Sequence, residues 1–156
     1  MLAKNIMVTN VVTANEDELV QDVFKKMRET SLRMLPVIND DHIITGLVST
    51  FCVMEHVVPD YIASGDLNRI PYAPDMGIMR RHYVEISTKP IKTIMQKKPL
   101  IVQPDESLLS VASTLTAFGR HEYALVATPE NKLMGIISAG DILDKLQLAA
   151  SEVNDA

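Results

Sequence analysis

The stretch Gly135-Ile136-Ile137-Ser138-Ala139-Gly140-Asp141-Ile142 has an earlier counterpart in Gly46-Leu47-Val48-Ser49-Thr50-Phe51-Cys52-Val53. Both run glycine, two apolar residues, a serine, and then the opening of an apolar helical pattern. The glycines fix an offset of 135 minus 46, or 89, and the same offset carries Leu19 onto Leu108, Val37 onto Val126 and Ser49 onto Ser138. Identities are few elsewhere, so the repeat lies in the order of residue classes. An internal repeat constrains the fold before any single residue does.

Upstream of the first glycine, Val11-Val12-Thr13 is a short β-prone run, and Asn15-Glu16-Asp17 supplies polar residues suited to starting a helix. Leu19, Val20, Val23, Phe24 and Met27 follow at helical spacing and predict one apolar face. Met34 to Ile38 reads as a short buried strand, Asn39-Asp40-Asp41 as a turn, and Ile43 to Val48 as the hairpin partner. Ser49 then opens a short helix through Phe51, Val53, Met54 and Val57. The second copy repeats the order. Leu100-Ile101-Val102 and Pro104-Asp105-Glu106 precede a helix carrying Leu108, Val111, Ala112, Leu115 and Phe118. Tyr123 to Ala127, a turn at Thr128 to Asn131, and Leu133 to Ile137 form its hairpin, and Ser138 starts a closing helix with Ile142, Leu143 and Leu146 on one face. Each copy therefore reads β-α-β-β-α. A unit of about 50 residues with an apolar sheet face rarely sustains a core alone, so the copies are expected to pack together. The expected fold is mixed α/β (α+β), with two repeats related by pseudo-two-fold symmetry.

Composition narrows the function classes. With 47% apolar and 22% charged residues, the chain has the balance of a folded protein rather than a disordered one. No window approaches the roughly 18 apolar residues needed to cross a bilayer, and Met1 to Thr9 lacks an apolar export core, so a cytoplasmic location without membrane insertion is expected. The formal net charge of -5, with no Lys/Arg block longer than two, argues against nucleic acid as a partner. The lone Cys52 cannot form an internal disulfide or a multi-cysteine metal site. The four histidines, at 42, 56, 82 and 121, have no metal-ligand spacing. No phosphate loop, nucleophile elbow or acid-base constellation is present, so no catalytic residue, catalytic cofactor or metal site is expected, and the chain reads as a non-enzyme.

The repeat with its glycine, two apolar residues, hydroxyl, two variable positions and aspartate resembles the CBS-domain family, and its second copy carries that motif complete. Ile6-Met7 and Ile94-Met95 resemble the family's lead-in to each motif. The resemblance implies a stand-alone Bateman-type pair: motif 1 over 1–57, a partly helical insert over 58–90, motif 2 over 91–148 and a tail over 149–156. It also implies a regulatory ligand, an adenine nucleotide such as AMP, ADP, ATP or an adenosyl compound, held between the motifs and signalling to an enzyme or transporter in trans. A homodimer is expected. Carried over by position, the family's cleft places Thr9, Val11, Leu32, Arg33 and Met34 around the adenine, with Glu122, Tyr123 and Ile136 lining it. Asp141 would take the ribose hydroxyls and Ser138 would stand beside the phosphate. The chemistry is apt, since a carboxylate accepts hydrogen bonds from two hydroxyls and a helix start favours phosphate.

The same three-residue spacing is also that of a helix cap, with Ser138 as cap and Asp141 complementing the dipole. In the first copy Cys52 stands where the aspartate would be, and Phe51 is expected to fill the space, so one working site per chain is expected. Cys52 itself reads as an inert thiol, buried or half-buried, rather than a redox sensor. Within the insert, Asp75 is a helix-cap candidate, and Met76, Met79, Tyr83 and Ile86 predict an amphipathic helix that covers the chain's own core or packs on a second chain, the latter being slightly favoured. Arg80-Arg81-His82 reads as a solvated helix face within reach of a phosphate.

Overall fold

The computed structural model describes residues 1–58, 76–117 and 123–154. Two three-stranded sheets and a set of helices give the mixed α/β architecture. The chain divides into two compact units, one of Met1–Val12, Asp40–Ile44 and Lys98–Ala156, the other of Thr13–Asn39 and Thr45–Lys97.

The first unit contains helix α1 (Ala3–Ile6), strand β4 (Ile101–Val102), helix α5 (Leu108–Ala117), strands β5 (Tyr123–Ala127) and β6 (Leu133–Ser138), and helix α6 (Ala139–Asn154). Strand β5 is central, parallel to β4 and antiparallel to β6, with Leu125 opposite Ile136 and Tyr123 opposite Ser138. Its residues Ala124 to Ala127 are all buried. That is why the segment reads as a continuous apolar run rather than an alternating one. Val111 and Leu115 of α5 and Ile142 of α6 close the core over Val126 and Ile137, and Ala3 of α1 belongs to the same cluster.

The other unit holds β1 (Ala14–Asn15), helix α2 (Val20–Thr30), β2 (Met34–Ile38), most of β3 (Ile44–Ser49), helix α3 (Thr50–Val57) and helix α4 (Met76–Ser87). Strand β2 lies between β1 and β3, and Leu35-Pro36-Val37 is buried throughout. Val20, Val23 and Met27 form the buried face of α2, each worth roughly 1.5–3 kcal/mol relative to an exposed position. Ser31, left-handed at φ 58°, ends the helix.

Several expectations shift. The first strand lies at Ala14–Asn15, parallel to Val37–Ile38, and not at Val11 to Thr13. Pairing with β2 decides the strand here over local β-propensity. The polar run at Asn15 to Asp17 builds the turn before α2 instead of capping it: the Asn15 N–H donates to Glu18 Oε1 and the Asp17 N–H to Asn15 Oδ1. Phe51 is 69% exposed and fills no space within its unit. Leu143 and Leu146 face outward, leaving Ile142 as the buried residue of that trio.

The insert helix forms as expected. Two residues of its stripe pack within the chain's own unit: Ile86 is buried, and the Tyr83 ring packs edge-on against Phe24 of α2 at 6.2 Å. Asp75, Phe118 and Glu122 lie outside the described residues. Among the described residues, no helix is long and apolar enough to cross a membrane, and no group of three His, Cys, Asp or Glu side chains could hold a metal ion.

Candidate functional site

The repeated glycines are explained by what lies against them. A Cβ on Gly135 would stand 2.8 Å from the Val8 carbonyl oxygen and 2.9 Å from the Met7 side chain. A Cβ on Gly46 would stand 2.5 Å from Met95 Sδ and 2.7 Å from the Gln96 carbonyl oxygen. Each lead-in thus runs against the third strand of the other copy, bringing Val8 to Ile136 in one unit and Gln96 to Leu47 in the other. Backbone hydrogen bonds of 2.8–3.0 Å in both directions secure each bridge. The residue without a side chain is what lets the backbones come this close.

The bridge defines one edge of the candidate site. Strand β6 carries Val8 on one side and β5 on the other, then passes through Ser138 into α6. At that junction the Ser138 N–H donates to Asp141 Oδ2 at 2.8 Å, and the Asp141 N–H donates to Ser138 Oγ at 3.0 Å. The pair is a reciprocal capping box, with aspartate in the position more often held by glutamate. The cap reading is therefore realised. It leaves Asp141 Oδ1 without a hydrogen bond among the described residues, on a half-buried side chain. The N–H groups of Ala139 and Gly140, in the first helical turn, have no intrahelical acceptor. Gly140 is exposed, and a Cβ there would meet only Ser138 Oγ, at 3.5 Å. One strand-to-helix junction thus presents a carboxylate oxygen, a hydroxyl and unpaired backbone donors to an open approach.

Of the ten residues expected at the site, Tyr123, Ile136, Ser138 and Asp141 meet along this junction, and Thr9, exposed, follows directly on the Val8 bridge. Val11, half-buried, continues that segment, its N–H donating to the Thr9 carbonyl at 3.1 Å. Leu32, Arg33 and Met34 belong to the other unit, where Leu32 and Arg33 are exposed and Met34 begins β2. Val8 was absent from the expected set. The signal that could have found it was the lead-in pair beside it, since Ile6-Met7 matches Ile94-Met95.

The equivalent junction of the first copy is chemically poorer. The Cys52 N–H donates to Ser49 Oγ at 3.1 Å, so Ser49 caps α3, but the reciprocal acceptor is missing. In its place the Ser49 hydroxyl makes a weak contact of 3.4 Å to Cys52 Sγ, and the thiol is half-buried.

Comparison with known proteins agrees with this architecture. The CBS domain model matches residues 3–58 and 91–148. The uncharacterized protein MJ1426 of Methanocaldococcus jannaschii is 24% identical over 94% of this chain and 91% of its own. The L-aspartate semialdehyde sulfurtransferase of Methanosarcina acetivorans is 23% identical over 90% of this chain, which spans only 23% of that enzyme. Among solved structures, CBSX2 in complex with AMP superposes with a TM-score of 0.71 at 20% identity, covering 95% of this chain and 98% of that one. The CBS pair of MJ0100, in complex with 5'-methylthioadenosine and S-adenosyl-L-methionine, gives a TM-score of 0.67 at 16% identity, covering 94% and 96%. With two matched segments spanning most of its length, the chain belongs to the CBS-domain family as a tandem pair.

Proposed function

We propose that this chain is a non-catalytic regulatory module that binds an adenine nucleotide or a related adenosyl compound through the Ser138–Asp141 junction and passes that state to a partner protein. The observation that carries the reading is the open junction itself, where Asp141 Oδ1 stays available for ribose hydroxyls while Oδ2 holds the cap. The neighbouring Ala139 and Gly140 N–H groups suit a phosphate. Tandem pairs of the same fold bind AMP in CBSX2 and adenosyl compounds in the MJ0100 pair, which supports an adenosine-containing ligand. Thr9, Val11, Tyr123 and Ile136 are the further residues of the proposed site. Leu32, Arg33, Met34 and Glu122 keep their places in it only by resemblance to the family.

A ligand shifts a conformational equilibrium only by its differential affinity for the two states, so the response must lie in structure that differs between them. The regulated enzyme or transporter would be engaged in trans. We also propose a homodimer, supported by the outward apolar residues Leu143, Leu146 and Val153 of α6, which lie on one stripe of that helix. A second reading is a ligand-free dimerisation module, favoured by the fact that Ser138 and Asp141 already satisfy each other as a cap.

A thermal-shift series with AMP, ADP, ATP and S-adenosylmethionine on wild type and Asp141→Ala separates the two. A saturable rise for one ligand, lost in the variant, supports the regulatory module. No rise with any ligand favours the structural one.

A further inference from the structure

The two units are built alike down to their ion pairs, with one element unmatched. A short 3₁₀ helix at Ile91–Thr93 in the second unit is the counterpart of α1 in the first. Lys92 pairs with Asp17 at 2.9 Å as Lys4 pairs with Asp105 at 2.8 Å, both at an offset of 88 (92 minus 4, 105 minus 17). At the same offset, the Lys89 carbonyl accepts from the Val20 N–H at 2.9 Å as the Met1 carbonyl accepts from the Leu108 N–H at 3.0 Å. Strands and helices pair off likewise, and among the described residues α4 alone has no counterpart. It ends at Ser87, shortly before Lys89, a position that in the first unit lies ahead of Met1.

The effect of α4 shows in the exposure of equivalent side chains. The helix packs on α3 and α2, with Ile86 buried and Tyr83 edge-on to Phe24. The offset of 89 carries Val53, Met54 and Val57 of α3 onto Ile142, Leu143 and Leu146 of α6. Val53 and Ile142 are each 7% exposed, so the two helices sit alike on their sheets. One turn further on, Val57 is 7% exposed where Leu146 is 57%, and Met54 is 49% exposed where Leu143 is 63%. The apolar face that is open in the first unit is therefore largely closed in the second, where α4 lies. The residues that α4 turns to solvent include Arg80, Arg81 and Glu85. A helix that lays an apolar side on a repeat and presents a charged side outward is how repeat arrays end their stacking.

We propose that α4 is an intramolecular cover that closes the α2–α3 face to a second copy of this chain, leaving α5–α6 as the open self-association face. The occupant excluded is a second copy because the covered face is the repeat of the one proposed to dimerise, a clause in which the proposal rests on the homodimer reading. Freed of α4, the second unit would present Phe24, Met54 and Val57 together, a patch that associates rather than stays solvated.

The test uses the full chain in sedimentation velocity. Arg81→Pro breaks α4 from its exposed side and leaves the covered face intact. Met79→Asp with Tyr83→Asp expels the helix by charge instead. Each change is also placed on Leu143→Lys, Leu146→Lys, which disables the face of the first unit. Amide exchange reads the release: protection over residues 82–86 should fall roughly a hundredfold while that of α2 and β2 is kept. The expected result is that the disabled chain sediments as a monomer with α4 intact and self-associates at micromolar concentration once α4 is released. A peptide of residues 76–88 added in trans should reverse that association. A disabled chain that stays monomeric with α4 released would overturn the proposal. Loss of protection in α2 and β2 together with α4 would do the same, since the helix would then hold the fold of its unit rather than cover a surface. A wild-type chain found monomeric would remove the homodimer reading alone, because release of α4 must still produce association.

Discussion

The Ser138 N–H donates to Asp141 Oδ2 while the Asp141 N–H donates to Ser138 Oγ, so two residues proposed to bind ligand also hold the first turn of α6. The two roles can be separated by substitution. Asp141→Ala removes the acceptor and should cost about 0.5–2 kcal/mol of stability besides any ligand response. Asp141→Asn keeps an oxygen that can accept from Ser138 and should cost less, while losing the charge proposed for the ribose. The expected pattern is near-native denaturation for Asp141→Asn with a ligand-induced thermal shift much reduced. A full ligand response in Asp141→Asn would assign ribose recognition to another group.

The glycines make the sharpest stability prediction. Gly135→Ala and Gly46→Ala each drive a methyl toward a backbone carbonyl, of Val8 at 2.8 Å and of Gln96 at 2.7 Å, and a hydrogen-bonded bridge cannot easily yield. Each should cost about 1–3 kcal/mol in urea denaturation. Gly140→Ala is the contrast. Its Cβ makes only an ordinary van der Waals contact, with Ser138 Oγ at 3.5 Å, and alanine there in the first turn of α6 should add up to about 1 kcal/mol.

How far the fold was legible depended on the range of the interactions. Strands β2 and β5 could be read to the residue because each is an unbroken apolar run closed by a turn, a local signal. Strand β1 was misplaced by three residues because Ala14 and Asn15 are chosen by their partners Val37 and Ile38, not by their own propensity. Ser138 and Asp141 were legible from spacing, but spacing could not say that they would bond to each other. The lead-ins could be matched by type, yet the bridge from Val8 to Ile136 joins segments 128 residues apart and leaves no local pattern.

The hairpin turns carry another testable asymmetry. His42 and Asn131 occupy equivalent positions and both adopt left-handed backbone, at φ 62° and 66°. Asparagine tolerates that region, while most residues with a Cβ pay about 1–2 kcal/mol there. Asn131 also uses its side chain, its Nδ2 donating to the Ile44 carbonyl at 3.0 Å. His42→Gly should therefore stabilise the chain by roughly 1 kcal/mol, a rise in melting temperature of about 2–4 °C. A fall would mean that the histidine side chain holds the turn.

The outward face of α6 bears on assembly. Leu143, Leu146 and Val153 recur at helical spacing and are 63%, 57% and 75% exposed, and Leu109 on α5 is 81% exposed. A contiguous apolar stripe on a surface helix is the kind of surface through which another molecule docks. If a second copy covers it, the double variant Leu143→Lys, Leu146→Lys should sediment as a monomer where wild type sediments as a dimer. Both positions are already exposed, so the folded monomer should change by about 0.5 kcal/mol or less per site, and its circular dichroism should be unchanged. A wild-type chain that is monomeric at micromolar concentration would remove the homodimer from the proposed function.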